Sequence, residues 1–256
     1  MQIDFGRTSA DYARHRRGFP PQLFDALVEL GLLADAPRAL DLGCGTGALA
    51  LELAALGAET TALDPSSALL DELRSAAAAR GLSVTTREAT AEATGLPAGH
   101  YDLVSAGQCW HWFDPVRVCA ELDRLLSAEG HVVLASYDWL PLEGSLVEAT
   151  EQLILAHNPA WHMGGQDGTH PEWERDLIAG GFEVLQVHYE RCDAMYTAEA
   201  WRGRIRASAG IAASLSAEQV EAFDRQLAER LPERASGEPI PFPHRFGYCV
   251  ARRRAD

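Results

Sequence analysis

The stretch Ala39-Leu40-Asp41-Leu42-Gly43-Cys44-Gly45-Thr46-Gly47 joins a short apolar run, an acidic residue and three alternate glycines that open a helical pattern. Glycine lets the backbone turn sharply and approach a ligand, because no Cβ stands in the way. A helix that starts just beyond offers free N–H groups to an acceptor. A strand, a glycine loop and a helix in this order predict a nucleotide-like ligand at the mouth of a parallel sheet.

The elements on either side extend that reading. Arg38 to Leu42 reads as the first strand, and Ala48 to Leu56 as a helix ended by Gly57. Glu59 to Leu63 is a second strand closing on Asp64, and a helix follows from Pro65 and Ser66 to Arg80. Leu82 to Arg87 and Tyr101 to Ala106 read as two more strands. Asp114-Pro115 caps a helix whose expected apolar face is Val116, Cys119, Leu122 and Leu125. His131 to Ala135 reads as the fifth strand. Strands alternating with helices at this spacing mean an α/β, doubly wound, mostly parallel sheet.

The remaining residues are less regular. Helices are expected over Glu143 to His157 and Pro171 to Ala179, and a strand over Phe182 to Tyr189. A helix starts near Thr197, and Ser216 with Gln219 forms a capping box for another, carrying Val220, Phe223, Leu227 and Leu231. Arg245 to Ala251 makes a seventh strand. Residues 195–240 then read as an insertion between the last two strands, packed over the sheet mouth. Ahead of the first strand, Leu23, Phe24, Leu27, Leu30 and Leu33 mark a helix after Pro20 and Pro21.

Composition narrows the partners. The 256 residues suffice for one large domain, which at that size buries roughly 70–75% of its unfolded surface. A formal net charge of −15 repels phosphate backbones and anionic membranes, so neither nucleic acid nor a membrane is expected. The basic run Arg252-Arg253-Arg254 reads as a solvated tail. Five scattered cysteines form no Cys-x-x-Cys pair, which speaks against a disulfide framework or a zinc site. The polar, charged start lacks the apolar core of a signal peptide, so a reduced, cytoplasmic protein is expected, as monomer or homodimer.

The glycine loop also discriminates between ligands. A dinucleotide fingerprint is Gly-x-Gly-x-x-Gly, whereas here the pattern is Gly43-x-Gly45-x-Gly47 with Asp41 ahead of it. An acid before the loop suits an ammonium-bearing ligand better than a pyrophosphate. Asp64 ends the second strand, where a carboxylate accepts hydrogen bonds from ribose hydroxyls. Its other reading is a cap for the helix opened by Pro65, and the upstream glycine loop favours the ribose.

At this point Asp41-Leu42-Gly43-Cys44-Gly45-Thr46-Gly47 followed by Asp64 resembles the first two motifs of class I S-adenosyl-L-methionine (SAM)-dependent methyltransferases. Glu88-Ala89-Thr90-Ala91-Glu92 resembles the segment of that family that flanks the adenine. Tyr101 to Ala106 and Leu125 to Gly130 resemble its fourth strand and the turn before its fifth. Gly107-Gln108-Cys109-Trp110-His111-Trp112-Phe113-Asp114 is similar to the His-Trp-Phe-Asp stretch of its type 11 branch, which includes many small-molecule enzymes. Asn158 to Trp161 and Ala200 to Arg206 are similar to a bacterial subgroup of the same superfamily.

The resemblance implies a seven-stranded, Rossmann-like methyltransferase sheet in a single domain over residues 1–256. Its SAM-binding core is 37–138, with a helical and loop cover from 1–36, 139–180 and 195–240. It implies that Gly43, Cys44 and Gly45 approach the methionine part, and that Asp41 faces the ammonium through water. Asp64 and Pro65 take the ribose, Ala91 and Glu92 the adenine edge, and Gln108 cofactor backbone groups. Tyr12 and Arg16 match a Tyr-x-x-x-Arg segment that closes over the cofactor in related enzymes.

His111 is the candidate catalytic residue, since an imidazole titrating near ~6.5 removes protons at neutral pH. The competing reading has Trp110, His111 and Trp112 only packing under the cover. Trp110, Trp139, Trp161 and His162 are expected to line an aromatic substrate mouth. His157, His162 and His170 are spaced by five and eight residues, which matches no standard metal site. The implied reaction is in-line methyl transfer from SAM to an oxygen, nitrogen or carbon of a small molecule. A SAM-binding protein that does not methylate and an NAD(P)-dependent oxidoreductase are the alternatives.

Overall fold

The computed structural model of the chain describes residues 18–208, 210–211, 214–232 and 237–254. Among these, helix α1 (Pro21–Glu29) buries Leu23, Phe24 and Leu27. Strand β1 (Arg38–Leu42) leads through the glycine loop into α2 (Ala50–Ala55), then β2 (Glu59–Asp64) into α3 (Ser67–Ala79). Strands β3 (Val84–Glu88) and β4 (Tyr101–Gly107) follow, then a 3-10 turn (Trp110–Trp112) and α4 (Pro115–Leu125). The chain continues as β5 (Leu126–Trp139), α5 (Leu146–His157), α6 (Pro171–Ala179), β6 (Phe182–Tyr196), α7 (Ala198–Arg206), α8 (Ala217–Arg230) and β7 (Ile240–Arg253).

The seven strands form one sheet in the order β3-β2-β1-β4-β5-β7-β6. The four pairs β3-β2, β2-β1, β1-β4 and β4-β5 are parallel. This is the doubly wound, mostly parallel Rossmann-like sheet that the alternation of strands and helices predicts. The order steps outward from β1 in both directions, so β1 and β4 meet at the switch point where ligands of such sheets bind.

Two compact units divide the described residues: 18–137 with Thr169–Tyr189 and 246–254, and Asp138–Gly168 with those of 190–245. In the first, β1, β4 and β5 bury Leu40, Leu42, Val104, Val132 and Leu134 against α4 and α6. Each buried leucine or valine side chain contributes roughly 1.5–3 kcal/mol of transfer free energy. The second unit has its own aromatic centre, in which Trp201 is fully buried and stacks on Phe242 at 4.0 Å.

Caps fix the helix starts. Asp114 accepts the N–H groups of Val116 and Arg117, Ser145 that of Glu148, and Thr197 that of Ala200. Ser216 and Gln219 make the expected reciprocal capping box. Two expectations need correction. The buried face of α4 is Val118, Cys119, Leu122 and Leu125, whereas Val116 is 78% exposed. Strands β5, β6 and β7 also run well beyond the short apolar runs that mark them in the sequence, to 14, 15 and 14 residues.

Candidate functional site

The first three glycines after β1 all take left-handed φ values: 60° at Gly43, 54° at Gly45 and 93° at Gly47. Residues with a side chain rarely adopt that region. Space is as restrictive as conformation. A Cβ on Gly43 would stand 3.0 Å from Cys109 Sγ and 3.2 Å from the Phe113 ring. One on Gly47 would meet Leu73 Cγ at 2.9 Å and Leu51 Cγ at 3.0 Å. The loop is thus pressed onto the turn after β4 at one end and onto α3 at the other.

Asp64 holds the middle of the loop. Its Oδ2 accepts the Gly45 N–H at 2.9 Å and its Oδ1 the Ser66 N–H at 2.9 Å. Each oxygen keeps an unused lone pair, because a carboxylate offers about four acceptor positions. Burial raises the pKa of this group, and the two backbone N–H groups oppose that. The side chain that caps α3 is Ser66, whose Oγ accepts the Leu69 N–H. Pro65 is exposed beside it.

Asp41 is only 1% exposed and both its oxygens are engaged by the chain. Oδ1 accepts from Ser105 Oγ at 2.8 Å and Oδ2 from the Ala50 N–H at the start of α2 at 3.2 Å. The parallel register pairs Asp41 with Ser105 directly, which sets the two side chains side by side. Burial pushes the carboxyl up to about 7, against the two hydrogen bonds. The sequence reading misses Ser105. Its signal is a lone serine inside the otherwise apolar run Leu103 to Ala106.

Gln108, straight after β4, is the next unusual backbone, with a left-handed φ of 56°. Its N–H donates to Ala135 O at 2.8 Å and its side-chain amide donates to Tyr137 O. A side-chain residue held in this region by its surroundings is a pattern that gathers at binding sites. Cys109 is buried, with Sγ 3.2 Å from Leu42 O. The Cys44 thiol is buried too. Burial and the nearby Asp41 and Asp64 carboxylates push its pKa well up, so it stays protonated and unreactive.

The other residues named from sequence spread differently. Ala91 is buried, and Glu92 accepts the Asp114 N–H at 3.1 Å, which ties the segment after β3 to the start of α4. Trp110 is 5% exposed and part of the core, with Nε1 donating to Asp176 of α6 at 3.1 Å. His111 and Trp112 are exposed, their rings 4.6 Å apart. Trp139, Trp161 and His162 belong to the second compact unit. There Trp139 Nε1 donates to Glu151 at 2.7 Å, Trp161 is buried and His162 is exposed. Tyr12 and Arg16 lie outside the described residues. Among the described residues no group of three or more His, Cys, Asp or Glu side chains could hold a metal. No helix of these residues is long and apolar enough to cross a membrane.

A Rossmann-like sheet with this strand order, a left-handed glycine loop after β1 and an acid closing β2 defines a class I methyltransferase fold. Residues 40–134 match the family model described as a methyltransferase domain. A methyltransferase of Mycobacterium tuberculosis is 37% identical over 134 residues, 52% of each chain. A malonyl-[acyl-carrier protein] O-methyltransferase of Alcanivorax borkumensis is 35% identical over 198 residues, covering 73% of this chain and 62% of the relative. The chain spans about half the length of the curated relatives it matches first. A solved structure assigned as a type II methyltransferase, from Anaeromyxobacter dehalogenans, has a TM-score of 0.61 at 23% identity, over 92% of this chain and 96% of its own. Over residues 40–134, then, the chain carries the methyltransferase domain.

Proposed function

We propose that this protein is a SAM-dependent methyltransferase that transfers a methyl group to a small molecule. The observation that carries the reading is Asp64. A buried carboxylate bonded to Gly45 and Ser66, with one lone pair left on each oxygen, fits the two vicinal hydroxyls of a ribose. The small Ala91 beside Glu92 fits an adenine face and edge. Gln108, held with a left-handed φ straight after β4, precedes Cys109, which abuts Gly43, and would contact cofactor backbone groups from there. Asp41 is fixed by Ser105 and by the Ala50 N–H at the start of α2, and from there it would face the methionine ammonium through water.

Bound in this loop, SAM supplies an electrophilic methyl group already activated by its sulfonium. Most of the catalysis then falls to orientation and water exclusion by the chain. His111 would take the acceptor's proton where the acceptor has one to lose. The net charge of −15 supports a small acceptor over a nucleic acid.

The test is calorimetry with SAM and with NAD, followed by an assay for S-adenosylhomocysteine with a panel of small acceptors. Binding of SAM with release of S-adenosylhomocysteine is the expected result. Binding of NAD in its place sinks the proposal, and SAM binding without any product makes the protein a SAM-dependent binder.

A further inference from the structure

Asp41 and Ser105 form a buried pair beneath the glycine loop, 1% and 2% exposed. In the sheet register Asp41 lies beside Ala62 of β2 and Ser105 of β4, so the polar neighbour comes from β4. The Ser105 hydroxyl has two acceptors within reach, Asp41 Oδ1 at 2.8 Å and Leu40 O at 3.5 Å. A hydroxyl has one proton to donate and two lone pairs with which to accept.

That geometry serves both forms of the acid. While Asp41 is ionised, Ser105 donates to Oδ1. Once that oxygen holds a proton, the carboxyl becomes the donor, Ser105 Oγ accepts, and the serine proton turns to Leu40 O. The other groups that act on the carboxyl oppose one another. The Ala50 N–H at the start of α2, 3.2 Å from Oδ2, favours the charged form, and the Asp64 carboxylate on β2 disfavours it. The buried Cys44 thiol of the loop stays protonated and adds no charge. Burial pushes the Asp41 carboxyl up to about 7, and the Ser105 bond works against that rise.

We propose that Ser105 is a positioning residue for the cofactor: its hydroxyl holds Asp41 in the charged form that attracts the methionine ammonium, and so makes SAM affinity depend on pH. The inference rests on the methyl-transfer reading and on Asp41 facing the ammonium. Without the hydroxyl the charged carboxylate loses a buried hydrogen bond, so Asp41 ionises only at higher pH.

Calorimetric titration of the full chain with SAM, at pH 6 and at pH 8, tests this in wild type, Ser105→Ala and Ser105→Thr. The ratio of wild-type to variant affinity is read at each pH, so that the titration of SAM's own ammonium cancels. A lost hydrogen bond to a charged group raises the Asp41 pKa by about one unit. Ser105→Ala should therefore bind SAM about tenfold more weakly than wild type at pH 6 and only about twofold more weakly at pH 8. Ser105→Thr keeps the hydroxyl and should stay within about twofold of wild type at both. If Ser105→Ala does not fold, Ser105→Cys carries the same comparison, since a thiol is a weak donor of similar size. A loss equal at both pH values is a packing defect and overturns the proposal, as does unchanged affinity. A wild type that binds no SAM at either pH removes the methyl-transfer reading and this inference with it.

Discussion

The Asp64 carboxylate accepts the Gly45 N–H at 2.9 Å, so the acid that ends β2 also braces the glycine loop that follows β1. One side chain therefore shapes the loop and faces the proposed ribose. Asp64→Ala removes both functions and should weaken SAM binding by about tenfold to a hundredfold. Asp64→Asn keeps one carbonyl acceptor and should lose less. Calorimetric titration of both variants checks this, and unchanged affinity in Asp64→Ala would remove the ribose role.

Asp41 gives a pH signature. Its pKa in the folded protein is raised to about 7, against about 3.9 in an unfolded chain. Between those values the fold holds a proton that the unfolded chain has released. Stability from this group therefore falls as pH rises from about 4 to about 7 and is level above, with a slope of at most about 1.4 kcal/mol per unit. Asp41→Asn removes the titration. Relative to wild type, its urea midpoint should rise between pH 5 and pH 8. Parallel midpoints would show that Asp41 does not titrate in that range.

Gly47 and Gly57 separate conformation from space. Both have left-handed φ values, 93° and 97°, but a Cβ on Gly47 strikes Leu73 and Leu51 while one on Gly57 meets nothing within 4 Å. Gly57→Ala should cost about 1–2 kcal/mol for backbone strain alone. Gly47→Ala adds overpacking and should cost about 2–5 kcal/mol. Chemical denaturation of the two variants should preserve that order.

Helix α4 offers a matched pair. Val118 is 0% exposed and Val116 78%, so Val118→Ala should cost about 1–3 kcal/mol and Val116→Ala less than about 0.5 kcal/mol. Thermal melts of the two variants give the comparison directly.

That pair also shows where sequence reading stops. The nine steps from Val116 to Leu125 turn a helix by about two and a half turns, which sets the two on opposite faces. Spacing by threes hides this, while Val118 lies almost in line with Leu125. The glycine loop, Asp64 and the first four strands are legible because backbone conformation and strand ends restrict residue type there. Trp110 is not legible in the same way. An indole serves equally in a core or a ligand wall, and its partner Asp176 lies 66 residues away. The lengths of β5, β6 and β7 are hidden for a related reason. Their polar residues read as loop until pairing with neighbouring strands satisfies the backbone.

His111 stands exposed on the 3-10 turn between Gln108 and Asp114, while Trp110 next to it is anchored in the core. The anchor fixes the turn through the Trp110 indole. If the acceptor loses a proton to the His111 imidazole, His111→Ala lowers turnover by about a hundredfold or more while SAM affinity stays within about twofold. The variant should also lose the limb of the wild-type pH profile that reports this base. A variant that keeps full turnover and the same pH profile would assign proton removal elsewhere and leave His111 as a surface neighbour of Trp112.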